Sequence, residues 1–115
     1  MESIGSFKSL LFGWKTLPDP GRLYISTTAG QNIAEAQFWA QSSAEAKEMD
    51  FIEDSQGRRL PICFVGMGVR SWLEVATFKD IVEVVLERQP AISLHEDDVF
   101  RRAIEYYLEF DTFEP

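Results

Sequence analysis

This chain has one cysteine, one histidine and no long apolar run, and each scarcity removes a class of function. Cys63 alone cannot form an internal disulfide, and its neighbours Ile62, Phe64 and Val65 predict a small buried residue with a free thiol. A lone His95 cannot supply a zinc set, and its place beside Glu96 reads as a polar position near a helix start. There is no Walker lysine motif and no G-x-S-x-G nucleophile motif. Gly66-Met67-Gly68 lacks the third glycine and the strand–helix setting of a dinucleotide loop. Neither Glu96-Asp97-Asp98 nor the set Glu48, Asp50, Glu53, Asp54 has calcium-loop spacing. Carboxylate pairs drawn from nineteen acids carry no specificity for glycoside chemistry. The expectation is a protein without catalytic residues, cofactor or metal. No apolar stretch reaches the roughly 20 residues that span a bilayer. Met1 to Ser9 lacks a basic segment leading into a continuous apolar one, which argues against a secretory signal. With the single free thiol, these features predict a reducing cytoplasm.

What is present is enough for one folded domain over residues 1–115. Of these, 45% are hydrophobic and 26% charged, the balance of a globular chain rather than a disordered one. Nine Phe, three Trp and three Tyr predict a core built largely from rings.

The net charge of −8 is unevenly placed. Residues 1–35 sum to zero and 58–89 to +1, whereas 36–57 hold five acids against one base and 90–115 hold seven against two. An acidic chain repels nucleic-acid phosphates and anionic membrane surfaces, so neither is an expected partner. A basic protein surface is the natural complement. Solubility alone also accounts for an acidic composition.

Phe7, Leu10, Leu11 and Trp14 recur at helical spacing, with Ser6 or Ser3 as the cap, and Leu17-Pro18-Asp19-Pro20-Gly21 ends that helix. Arg22 to Thr28 reads as a strand with Tyr24 opposite Leu23 and Ile25. Ala29 to Asn32 reads as a loop. Ala36 to Gln41 is compatible with strand or helix, and the alternation of Phe38 and Ala40 favours a strand. Ser42 to Met49 reads as a polar turn or a short helix capped by Ser43, Asp50 to Asp54 as a short strand, and Ser55 to Gly57 as a turn. Arg58 to Gly68 fits a buried strand or a short helix entered at Pro61. Ser71 to Ala76 alternates as a strand.

Two helices close the chain. The first is capped by Thr77, faces inward through Phe78, Ile81, Val82, Val85 and Leu86, and stops at Pro90. The second opens on a Ser93/Glu96 capping box, runs to about Glu109 and buries Val99, Phe100, Ala103, Ile104, Tyr107 and Leu108, with Phe110 and Phe113 folding back onto the core. The predicted fold class is α+β: a small antiparallel or mixed sheet with the N-terminal helix and the two C-terminal helices packed on it.

The residues suited to binding are acids in segments expected to be exposed. They are Glu48, Asp50, Glu53, Asp54, Asp97 and Asp98, with Trp39 as an aromatic anchor. Glu105 and Glu109 stack at i, i+4, where like charges slightly destabilise a helix, although Arg101 and Arg102 offset them. Tyr24 and Tyr106 are further candidate outward rings, with a core role as the alternative.

Several stretches resemble a group of small, acidic bacterial proteins. These are Leu17-Pro18 with Leu23-Tyr24-Ile25, the run Leu73 to Val82, Gln89-Pro90, Tyr106-Tyr107 and Asp111-Thr112-Phe113. In size and composition the chain is similar to immunity proteins of contact-dependent inhibition and other polymorphic toxin systems. The likeness covers about the first 25 and last 45 residues, and its letters are mostly structural. It implies a shared fold and, through that, a cytoplasmic protein that binds and neutralises a cognate toxin domain, a nuclease being the natural case. It carries over no catalytic residue. In such families a variable middle, here Gln31 to Arg70, often chooses the partner. The alternative reading is a cytoplasmic interaction or adaptor module with no toxin partner.

Overall fold

Alternating side chains on two central strands organise the fold, which a computed structural model describes for residues 2–26, 33–47, 51–53, 59–64, 67–113 and 115. Strand β1 (Glu2–Gly5) leads into helix α1 (Phe7–Phe12), then a 3-10 turn at Trp14–Thr16. Strand β2 (Gly21–Ser26) and strand β3 (Gln37–Ser42) follow, with helix α2 (Ser43–Ala46) directly after β3. A hairpin of β4 (Phe51–Glu53) and β5 (Arg59–Pro61), a 3-10 turn at Ile62–Phe64, strand β6 (Val69–Glu74) and helices α3 (Val75–Arg88) and α4 (Asp97–Phe110) complete the chain. The four-stranded sheet has the order β1-β3-β2-β6 and is antiparallel throughout. The α+β class is therefore as the sequence predicts, including the two closing helices. No described helix is long and apolar enough to cross a membrane.

The register of β2 on β3 pairs Leu23 with Ala40, Tyr24 with Trp39 and Ile25 with Phe38. Leu23, Ile25, Phe38 and Ala40 enter one core with Phe7, Leu10 and Leu11 of α1, Phe78, Ile81 and Val82 of α3, and Phe100 and Ile104 of α4. Tyr24 faces the other way and joins Leu60, Phe64 and Val69 in a second, smaller cluster, with Trp39 packed against it. Three helices thus cover one face of the sheet, while the β4–β5 hairpin and the turn at Ile62–Phe64 cover part of the other.

Local chemistry places the element ends. Ser6 caps α1 by accepting the Ser9 N–H at 3.3 Å. Ser42, not Ser43, caps α2. Its hydroxyl accepts the Glu45 N–H at 3.1 Å while the Glu45 carboxylate accepts the Ser42 N–H at 3.2 Å, a complete capping box. β6 ends at Glu74 rather than Ala76, and α3 begins at Val75 without a side-chain cap, so Thr77 is not its start. The β-branched run of α3 stays helical because Val75, Phe78, Ile81, Val82 and Val85 all reach the core at helical spacing. The Ser93/Glu96 pair forms in the turn ahead of α4. Glu96 accepts the Ser93 N–H at 3.2 Å, and the Ser93 hydroxyl takes the His95 N–H at 3.1 Å.

Three expectations of burial are overturned. Cys63 is exposed, because the 3-10 turn directs Phe64 at the sheet and leaves its neighbour outside. Leu108 lies on the flank of α4 and is exposed. Phe110 does not fold back onto the core: it packs on Tyr106, ring centroids 4.5 Å apart, and stays exposed, whereas Phe113 does return, onto Tyr107 at 5.5 Å and beside Ile81, Val85 and Ala103, with its outer side exposed. The predicted loop 29–32 and turn 55–57 lie outside the described residues.

Gly21 stands where the chain from Pro18 meets β3. A Cβ there would run into the carbonyl oxygens of Pro18 and Gln41, the latter at 2.6 Å, and backbone cannot give way as a flexible side chain does. Gly21→Ala should therefore lower unfolding stability by about 2 kcal/mol through overpacking. Urea denaturation checks this, and a change within about 0.5 kcal/mol, the range of an ordinary surface substitution, would contradict the close approach.

Candidate functional site

On the face of the sheet away from the helices, period-two alternation puts Arg22 and Tyr24 of β2 beside Trp39 and Gln41 of β3. A β-bulge lies alongside: β2 residues Arg22 and Tyr24 pair with Glu74 and Ser71 of β6, so β6 carries an extra residue over this stretch. The bulge lets Trp72 and Leu73 both reach the helical core while Ser71 and Glu74 both meet Arg22. Bulges of this kind often sit beside functional sites, where they re-aim side chains.

The result is a cleft of about 630 Å³ lined by residues of β2, β3, α2 and β6, with Phe51 of β4. Its polar contacts are specific. Arg22 Nη1 donates to Ser71 Oγ at 2.8 Å and Nη2 to Glu74 Oε1 at 3.4 Å. Tyr24 Oη donates to Gln41 Oε1 at 3.2 Å in a buried hydrogen bond. Gln41 is the one fully buried polar side chain among the described residues. The Arg22 and Glu74 side chains are 41% and 63% exposed, so their ion pair contributes under about 1 kcal/mol. It can rearrange around a ligand at little cost.

A second feature is the outer end of α4. Phe100, Ala103 and Ile104 dock this helix on the core, which directs Asp98, Arg102, Glu105 and Glu109 outward along one stripe. Toward its C-terminus the exposed Leu108 and Phe110 flank Glu105 and Glu109 on either side, while Phe113 lies in the groove between α3 and α4 beside Arg88 and Arg102. Asp111 closes the helix in a left-handed conformation, its N–H donating to the Tyr107 carbonyl at 2.8 Å. The last turn holds no basic residue, although the negative end of the helix dipole favours one there.

The residues predicted for binding do not form one surface. Glu48, Asp50 and Asp54 lie outside the described residues. Glu53 is exposed on β4, across the sheet from α4. Asp97 is half-buried and pairs with Arg101 at 3.6 Å, whereas Asp98 belongs to the outward stripe. Trp39 is half-buried, its ring 5.4 Å from that of Phe64 in an edge-on contact, so packing accounts for much of it. Tyr24 is buried. His95 is exposed, with its ring against Phe12 at 4.9 Å.

The cleft itself was not anticipated. Its only trace in the sequence is polar residues, Arg22 and Gln41, at strand positions flanking aromatic ones. Among the described residues no three Cys, His, Asp or Glu side chains are grouped to hold a metal ion. Comparison with models of protein families, with curated proteins and with solved structures returned no match.

Tyr24→Phe should leave the buried Gln41 acceptor without this donor and lower stability by about 1–2 kcal/mol. Arg22→Met, at a half-exposed ion pair, should change it by under about 1 kcal/mol. Chemical denaturation of both variants checks the order, and a costlier Arg22 change would contradict it.

Proposed function

We propose that this chain is a binding protein of the cytoplasm that neutralises a cognate bacterial toxin domain by occupying a basic surface of it, the phosphate-binding groove of a nuclease being the natural counterpart. One observation carries the reading: the outward face of α4 carries Glu105 and Glu109, with exposed Leu108 and Phe110 on its two flanks and Asp111 closing the helix. Phe110 and Leu108 supply apolar area that anchors an interface, and the carboxylates between them raise the association rate with a cationic partner. The acids cluster where the helix dipole is already negative, which disfavours them as stabilising elements. That charge is instead at its most useful when a cation arrives. The core contacts of Phe100, Ala103 and Ile104 hold the stripe rigid, so little order has to be gained on binding.

The acidic surface is therefore assigned to α4, with Asp98, Glu105 and Glu109, rather than to a face shared with the 36–57 segment. The chain's −8 charge and its likeness to immunity proteins support the same kind of partner.

The test is co-expression with the toxin domain encoded beside its gene. Rescue of growth and co-purification are expected, and absence of both would remove the reading. In the complex, the double change Glu105→Lys, Glu109→Lys should slow association about tenfold at low salt and flatten its salt dependence. Phe110→Ser should speed dissociation while leaving stability within about 0.5 kcal/mol, as for an exposed position. Unchanged rates in both variants would exclude α4 as the contact.

A further inference from the structure

We propose that the cleft between β2, β3 and β6 is a socket for an arginine side chain of a protein partner. The inference rests on the reading of that partner as basic, but it is carried by a different part of the molecule from the α4 surface.

The cleft has room: about 630 Å³ admits an arginine side chain together with the stretch of backbone that carries it. The lining charge also fits. Among the described residues Asp19 and Glu74 supply two carboxylates and Arg22 one guanidinium, so the described lining is negative in a chain that is negative overall. An anion would enter against both fields and a cation with them. Glu74 is held by Arg22 through one oxygen, Oε1, which leaves Oε2 to accept a further donor, and Asp19 is exposed at the same rim. Phe51, half-buried, places a ring in the wall, against which a planar cation stacks favourably.

Arginine suits these features better than lysine. Its planar fork of donors can meet two carboxylates while its face lies on a ring, whereas an ammonium is a compact, strongly hydrated point charge. The spare N–H groups of Arg22, beyond those bound to Ser71 and Glu74, would take the backbone carbonyl of the inserted residue. The weak Arg22–Glu74 pair lets Glu74 turn toward the newcomer. The floor under it, the Tyr24–Gln41 hydrogen bond, is buried and does not have to move.

The experiment needs no partner: the isolated full chain, labelled with 15N, is titrated with N-acetyl-argininamide and followed amide by amide. Saturable shifts are expected at Arg22, Gln41, Ser71 and Glu74, with much smaller ones from N-acetyl-glutamine amide. Glu74→Gln and Asp19→Asn, both at exposed positions, should each weaken the effect about tenfold, as loss of one charge-assisted contact predicts. The socket is overturned if the shifts fall only on α4 or match those of the uncharged probe. It is also overturned if inorganic phosphate or N-acetyl-lysinamide saturates the same amides more tightly. Probe binding by a chain that captures no toxin would reject the toxin reading and keep the socket. Toxin capture with no probe binding would do the reverse.

Discussion

The alternation of side chains along β2 and β3 is the constraint from which the rest of the molecule follows. Leu23, Ile25 and Phe38 are wholly buried on the helical face, and burying each such side chain contributes about 1.5–3 kcal/mol. A slip of one residue would turn all of them outward and drive Arg22, Tyr24 and Gln41 into the helices. No surface interaction competes at that scale. The Arg22–Glu74 pair, at under about 1 kcal/mol, decorates a register that packing has already set.

Because the register is set from one side, the opposite side is free to carry function. Helices α1, α3 and α4 close the first face with a ring-rich core that includes Phe7, Phe38, Phe78 and Phe100. On the second face, a short hairpin and a 3-10 turn bring Leu60 and Phe64 onto Tyr24, Trp39 and Val69. Next to that cluster the bulge between β2 and β6 keeps Arg22, Ser71 and Glu74 together at the cleft. The same helical core that fixes the sheet also fixes α4, whose outer stripe presents Asp98, Glu105 and Glu109 with Arg102 among them, and exposed Leu108 and Phe110 on its flanks. Cleft and stripe are thus built on opposite sides of one rigid sheet.

Much of the fold was legible in the sequence, and the misses have physical causes. α1, α3 and α4 follow from apolar residues at helical spacing, and β2 and β3 from period-two alternation, which also places Tyr24 opposite Leu23 and Ile25. β1 was missed because Glu2, Ser3 and Gly5 have no strand propensity of their own. Pairing with Ser3↔Trp39 and Glu2↔Ala40 makes the strand, and that is a tertiary effect. The start of α3 was misplaced because Val75 suits either structure locally, and burial decides it. The exposure of Cys63 and Phe110 was not readable, since apolar composition does not say on which side of a short turn, or how far along a helix, the core ends. The candidate site was legible only as charge. Total acidity could be counted, but which carboxylates share a face depends on the sheet that stands between residues 51–53 and α4.

The division of the sheet into two separately packed faces is most directly tested by nuclear Overhauser effects between aromatic rings in the isolated protein. The account requires cross-peaks from Phe64 to both Tyr24 and Trp39, whose ring centroids lie 5.3 and 5.4 Å away. It also requires cross-peaks from Phe38 to Phe7 and Trp72, with none joining the two groups. Contacts from Tyr24 or Trp39 to Phe7 or Phe78 would place those rings in the helical core and contradict the register on which both binding surfaces depend.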